Sequence, residues 1–415
     1  MKRDLRSRLS ELHRTGEVKT GRQLAENLKK GEGLNLFPGE GREEDTAFGQ
    51  CYLRELIFPL EHRHGSSTLS GVLNCCGPDL ALPARDSGFK NFNPRKSLFL
   101  DIETSGLSGG TGTWAFLIGL GWLEGDHFLL RQYFLRRPAE ERAVLSHFSE
   151  AAAGFPVMVT FNGKLFDLPL IQTRQMLSGF RHTVPAQHLD LLQCARLLWK
   201  KRLPSRSLRS LEEDLLGLHR YDDIPGAEIP AVYFDYLRRG KTANLKKVFQ
   251  HNVLDILSMV TLLERISNLA AGRMIEHPGE ALALGQLCLQ SGRTEEGVNF
   301  LREASYSGAV PLAEEAALEL SIYFKRQSNW AEAVTIWREL IKNNSANPTA
   351  YIELAKYYEH RCGEYRSALE LTRQAIAIAN CDSRISHNSE FTRDALQHRI
   401  NRLIRRLSCS SGSAD

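Results

Sequence analysis

No run of apolar residues in this chain of 415 is long enough to cross a bilayer, which argues against a transmembrane helix. The opening stretch, MKRDLRSRLSELHRTG, lacks the apolar core of a secretory signal, so a cytoplasmic protein is expected. C-x-x-C pairs are missing as well. The eight cysteines stand at 51, 75, 76, 194, 288, 362, 381 and 409, and adjacent Cys75 and Cys76 do not readily bridge each other. That argues against a disulfide framework or a zinc ribbon, and the thiols read as reduced, partly buried apolar residues. The charges nearly balance, 53 Lys and Arg against 49 Asp and Glu, and the net +4 permits nucleic-acid binding without demanding it. Neither a P-loop nor a dinucleotide fingerprint occurs, and the glycine-rich SGLSGGTG reads as a hairpin link. HRHG, at His62–Gly65, has no companion Cys or His spacing and is not read as a metal tract.

What is present is ample core material. Apolar residues make up 42% and charged residues 25%, the balance of a globular protein, and the length predicts two or three domains. Residues 1–95 are basic, irregular and rich in Gly, Pro and Asp. They read as a partly ordered extension packed on the domain C-terminal to it, with CYLRELIFPLEHRHG as a strand or short helix. From 96 to 272 strand and helix signals alternate. SLFLDIE, TWAFLIGLGWL and HFLLRQYFL predict three consecutive antiparallel strands. PAEERAVLSHFSEAAAG has helix start and stop signals, VMVTF reads as a strand, LPLIQTRQML as a helix and HLDLL as a short strand. The order predicts a mixed five-stranded α/β sheet flanked by helices.

Residues 276–380 are helical and repetitive. Leu320 precedes Leu354 by 34 residues, and Tyr323 precedes Tyr357 by the same interval. This spacing resembles tetratricopeptide repeats, whose helix pairs stack because neither helix buries its apolar face alone. Residues 381–415 read as a basic capping helix and a flexible tail.

Asp101 and Glu103 raise the chemical question. Period two along a strand points both side chains the same way, and paired carboxylates suit a divalent metal with oxygen ligands. Alone, D-x-E is better explained by solvated acids at a strand end. Two further features add weight. VTFNGKLFDLP places Asp167 just beyond a second strand, and KKVFQHNVLDILSMVTLL places His251 and Asp255 on one face of an apolar helix.

The set D-x-E, N-x-x-x-F-D and H-x-x-x-D resembles the DEDD exonucleases of the ribonuclease H-like superfamily. The segments FLDIETSGLSGGTGTWAFLIGLG, QYFLRRPAEERAVL, VTFNGKLFDLPL, DDIPGAEIPAVYFDYLRRG and HNVLDIL closely resemble its YprB type, which includes a mitomycin-repair exonuclease. The resemblance implies a metal-dependent 3′–5′ exonuclease, a hydrolase acting on DNA in repair. It implies Asp101, Glu103, Asp167 and Asp255 as ligands of two Mg²⁺ or Mn²⁺ ions, and His251 as general base. The family motif also implies that the backbone of Thr104 and Gly106 meets the 3′ end. Family members with a His base normally have four residues between it and the Asp, whereas here there are three, the spacing of members that use Tyr. Asn162 and Lys164 are candidate phosphate contacts, with a turn role for Asn162 nearly as good. Asp190 reads as a helix cap. KKRLPSRSLR and LRRGKTANLKK are phosphate contacts or solvated faces. Alternatives are an RNA-processing 3′ exonuclease, or a non-catalytic scaffold that binds nucleic acid or protein. The repeats are expected to carry a protein partner such as a helicase or repair factor.

Overall fold

The computed structural model describes residues 41–411 apart from 107–111, 182–183, 344, 346 and 382–392. The first 40 residues of the expected extension, most of the glycine-rich link and the end of the tail lie outside the described residues. The chain divides into two compact units, Met1–Met274 and Ile275–Asp415.

The first unit is built on one mixed sheet. Its strands are β1 (Gly41–Thr46), β2 (Gly49–Pro59), β5 (Ser97–Thr104), β6 (Ala115–Glu124), β7 (His127–Phe134), β8 (Val157–Thr160) and β9 (Gln187–Asp190). A separate two-stranded ribbon, β3 (Arg63–His64) and β4 (Ser67–Thr68), lies between β2 and β5 in sequence. The order across the main sheet is β1-β2-β7-β6-β5-β8-β9. Short links make β5, β6 and β7 antiparallel, whereas β8 and β9 join parallel to β5 after crossover helices Glu141–Ala153 and Asp167–Leu177.

The sheet thus has seven strands, where the sequence reading expected five. The two extra strands come from the segment read as an irregular extension. β2 pairs antiparallel along the whole of β7, setting Glu55 opposite Arg131 and Arg54 opposite Gln132. Both pairs are bonded: Arg131 Nε lies 2.6 Å from Glu55 Oε2, and Arg54 Nη1 donates to Gln132 Oε1 at 3.3 Å. Without β2 the buried strand β7 would present an open edge of unpaired backbone groups. Most of β2 falls in CYLRELIFPLEHRHG, the stretch read as a strand or short helix, and Pro59 closes the strand.

One helix of 28 residues, Ala243–Ala270, lies across β5 and β6. Its close approach depends on Gly119 and Gly121 of β6. A Cβ at Gly119 would stand 2.2 Å from Asn252 Oδ1, and one at Gly121 would stand 2.8 Å from Ile256 Cγ2. Phe116, Phe134, Phe148, Tyr233 and Phe249 fill the adjoining core, with Phe116 and Tyr233 stacked at 4.1 Å between ring centroids.

Among the described residues of the second unit, helix is the regular secondary structure, joined by short turns. Helices Pro278–Gln290, Thr294–Ser305, Val310–Arg326, Trp330–Lys342, Thr349–Tyr357 and Tyr365–Cys381 pack each against the next. Leu320 and Leu354, equivalent in the repeat, are both buried in one cluster with Trp337. The basic helix Arg393–Ser411 comes after them, and Arg399 and Arg402 grip buried Glu359 at 2.7–2.9 Å.

Candidate active site

Strand β5 is buried along its length except at Asp101, which keeps partial exposure. Asp101 and Glu103 alternate with Leu100 and Ile102, so the apolar pair enters the core while both carboxylates share the other face. That face is covered by the long helix. Asn252 donates from Nδ2 to Asp101 Oδ2 at 2.7 Å and to the Asp101 carbonyl at 3.1 Å. The amide is fixed from behind, because Gln132 Nε2 donates to Asn252 Oδ1 at 2.8 Å.

Asp167 opens the helix Asp167–Leu177 and is buried. A tight turn after β8 sets its place. Asn162 sits in the left-handed region at φ 67°, and Asp190 clamps the turn by accepting from the backbone N–H of Asn162 at 2.8 Å and of Lys164 at 3.2 Å. Asp190 also accepts from Leu192 N at 3.1 Å, as the N-cap of helix Leu191–Leu198. Gly163 is required here, since a Cβ would come within 2.8 Å of Asp167 Oδ2. The Lys164 side chain is exposed to solvent.

These carboxylates stand close enough to repel one another. Burial, then the charges of Asp255 and Asp167, hold the Asp101 carboxyl well above the usual carboxylate range. Burial, then Asp101, Asp255 and Asp167, do the same to Glu103. Burial, with the charges of Asp190 and Asp255, pushes Asp167 up to about 7.

His251 and Asp255 lie one turn apart on the long helix, with His251 Nε2 3.7 Å from Asp255 Oδ2. The sequence reading missed what surrounds them. Arg220, buried, donates to Asp255 Oδ1 at 2.5 Å, to Asp223 Oδ2 at 3.2 Å and to Glu212 Oε2 at 2.7 Å. Glu212 also accepts from Ser258, whose hydroxyl lies 2.7 Å from His64 Nε2. Asp223 Oδ1 and Oδ2 are each 2.9 Å from His251 Nδ1. Burial alone would lower the His251 pKa, but the Asp223 hydrogen bond and the charges of Asp255 and Asp223 outweigh it and raise it. The sequence signal for Arg220 and Asp223 was the polar run HRYDD between two apolar segments.

Thr104 donates from Oγ1 to the Gly106 carbonyl at 2.8 Å, closing the turn after β5. Beside it Gly106, Thr113, Leu165, Phe166, Pro169 and Leu170 line a cleft of about 270 Å³, with Leu165 70% exposed.

Among the described residues no three His, Cys, Asp or Glu side chains converge as a ready-made metal cage. The donor chemistry nonetheless fits a hard divalent cation. The set is all oxygen and enclosed, and its mutual repulsion is partly offset by Asn252 at Asp101 and by Arg220 at Asp255. Arg220 takes Oδ1 of Asp255.

Fold and sequence comparison agree on the class. A family profile described as the RNase_H superfamily matches residues 98–267, the segment that carries all four carboxylates. This is an RNase H-like protein, and that class supports a nuclease; such nucleases generally use divalent metal ions. The chain belongs to the YprB family: it is 33% identical over 389 residues to the uncharacterized protein YprB of Bacillus subtilis (strain 168), covering 88% of this chain and 91% of that one. Among solved structures, the family B DNA polymerase of the hyperthermophilic archaeon Pyrobaculum calidifontis matches slightly, with a TM-score of 0.34 and 15% identity over 49% of this chain and 30% of that one.

Proposed function

We propose that the chain is a metal-dependent 3′–5′ exonuclease that hydrolyses DNA in repair. The observation that carries this reading is the placement of four carboxylates from three separate segments in one mutually repelling cluster. Asp101, Glu103, Asp167 and Asp255 would hold two Mg²⁺ or Mn²⁺ ions, which supply activation of the attacking water and stabilisation of the leaving oxygen. Thr104 and Gly106 present the turn beside Glu103 to the terminal nucleotide, with Leu165 and Phe166 offering apolar contact to its base. Asn162 and Lys164 lie on the turn that carries Asp167, within the same strand ends, and contact phosphate. His251 takes a proton from the attacking water through Nε2. The preference for DNA and the 3′–5′ polarity rest on the family resemblance.

In the second unit, the repeat spacing and the equivalent burial of Leu320 and Leu354 support tetratricopeptide-like stacking. Its exposed face would recruit a protein partner such as a helicase or another repair factor.

The test is digestion of end-labelled single- and double-stranded DNA and RNA, with Mg²⁺, Mn²⁺, Ca²⁺ or chelator. Loss of nucleotides from the 3′ end of DNA with Mg²⁺ or Mn²⁺ is expected, with none in chelator and none restored by Ca²⁺, whose looser coordination misplaces the water. Full activity in excess chelator would rule the mechanism out.

A further inference from the structure

The loop between Gly217 and Gly226 carries a group that the carboxylate cluster alone does not require. We propose that Asp223 is a positioning residue: its carboxylate accepts the Nδ1–H of His251 and so leaves Nε2 as the bare nitrogen that faces the cluster. The inference rests on the nuclease reading, because it assigns His251 a proton to take.

Among the described residues, three groups face the imidazole, and their distances decide its tautomer. Asp223 approaches Nδ1 with both oxygens at 2.9 Å. Arg220 Nη1 approaches the same nitrogen, but at 3.4 Å. Asp255 Oδ2 stands 3.7 Å from Nε2, beyond hydrogen-bond reach. An Nδ1 bearing hydrogen satisfies the two short contacts; a bare Nδ1 would satisfy only the long one and would set its lone pair against a carboxylate. The neutral ring therefore carries its proton on Nδ1, and a base needs the other nitrogen free.

Asp223 is itself held on every side. Oδ1 accepts from Ile224 N at 2.9 Å, and Oδ2 accepts from Arg220 at 3.2 Å. Ile224 is buried in the core, and on the other flank Asp222, at φ 58°, pairs with Lys247 of the long helix. Lys247 and His251 are one helical turn apart, so the loop is pinned along the face it has to serve. A ring tethered through Nδ1 by a fixed acid is the arrangement by which an activating base is oriented in other hydrolases.

The shortened spacing between His251 and Asp255 fits this role. With three residues between them rather than four, His251 begins almost in line with Asp255. The tether at Nδ1 then sets the direction of Nε2, which the helix alone does not.

The test uses the full chain. Nitrogen NMR of the ring, with His251 assigned by difference against His251→Ala and recorded at a pH where the ring is neutral, is expected to show hydrogen on Nδ1. In Asp223→Asn the amide nitrogen faces a donor in either orientation, so the Nδ1–H preference should be lost. Turnover on end-labelled DNA should fall about 10–100-fold, the usual cost of removing an orienting partner, while KM and Mn²⁺ affinity stay as in wild type. The decisive measurement is the double variant: Asp223→Asn in a His251→Ala background should cost nothing further, because Asp223 acts through the ring. Multiplying losses, a fall in Mn²⁺ affinity, or hydrogen on Nε2 in wild type would each overturn the proposal. Should wild type digest no nucleic acid, the nuclease reading fails, and the tautomer measurement still decides what Asp223 does to His251.

Discussion

Asn252 Nδ2 lies 2.7 Å from Asp101 Oδ2, so the residue next to His251 on the long helix is the one that holds the first carboxylate of β5. The link continues backward through Gln132 to Arg54 on β2, a strand within the segment expected to be a partly ordered extension. The carboxylate face, the covering helix and β2 are therefore one hydrogen-bonded unit.

The closeness of helix and sheet at this point can be tested at Gly119. A Cβ there would meet Asn252 Oδ1 at 2.2 Å and Ile256 Cδ1 at 2.6 Å. Gly119→Ala should destabilise the fold by about 1–3 kcal/mol, as overpacking does, and should lower nuclease activity by tilting Asn252 away from Asp101. Urea unfolding of the two proteins measures it. Equal midpoints would mean that the helix backs away at no cost.

Metal-free stability should carry the mark of the repelling carboxylates. Asp167 holds its proton more tightly folded than unfolded, since its pKa rises from 3.8 to about 7. Its contribution to stability is thus fully present below 3.8 and lost as pH rises through about 7. Asp167→Asn should melt higher than wild type at pH 7 without metal, and the gain should shrink toward pH 5. Added Mn²⁺ should raise the wild-type Tm more than the variant's. Asp101→Ala and Glu103→Ala should abolish digestion while keeping the fold. Thermal melts over pH 5–8, with and without chelator, decide the matter; a variant that melts lower throughout would contradict the repulsion.

His251→Ala should lose about 10²–10⁴-fold in turnover, the usual worth of positioned proton transfer. Part of the loss should return at high pH, where hydroxide is abundant. In wild type the ring must be neutral to act, and its pKa is raised above 6.5, so the acid limb of the pH–rate profile should lie above that value. His251→Tyr, which suits the three-residue spacing, should retain more activity than His251→Ala. Profiles of all three proteins at saturating Mn²⁺ provide the comparison, and a wild-type rate for His251→Ala would reduce His251 to a structural role.

Arg220 is the internal cation of the site. Arg220→Ala would leave Glu212 buried without its partner, and breaking a buried pair typically costs about 3–5 kcal/mol. Adding Glu212→Gln to the same chain should recover part of that loss. Denaturant midpoints of the single and double variants test it, and an unchanged midpoint for Arg220→Ala would show that water takes the place of the guanidinium.

Ending the chain at Met274 removes the second unit. None of the proposed ligands lies beyond that point, so the shortened protein should still digest DNA while losing recruitment of partners. If it folds by circular dichroism yet cuts nothing, the repeats take part in the substrate site.

Sequence alone determined the parts that local period controls. Alternation along SLFLDIE puts Asp101 and Glu103 on one face, and the four-residue interval puts His251 and Asp255 on one side of a helix, because strand and helix geometry are set by the backbone itself. The strand–helix order from 97 to 190 was legible for the same reason. Only the tertiary structure decided how the charges are held. Arg220 meets Asp255 across 35 residues, Asn252 meets Asp101 across 151, and no periodic pattern records such a pairing. Of the two additional strands, β2 falls largely in CYLRELIFPLEHRHG, read as a strand or short helix, whereas β1 was hidden, because a strand at a sheet edge is defined by the partner it pairs with. Arg54 and Glu55 acquire their meaning only when β7 lies beside them, with Gln132 and Arg131 opposite.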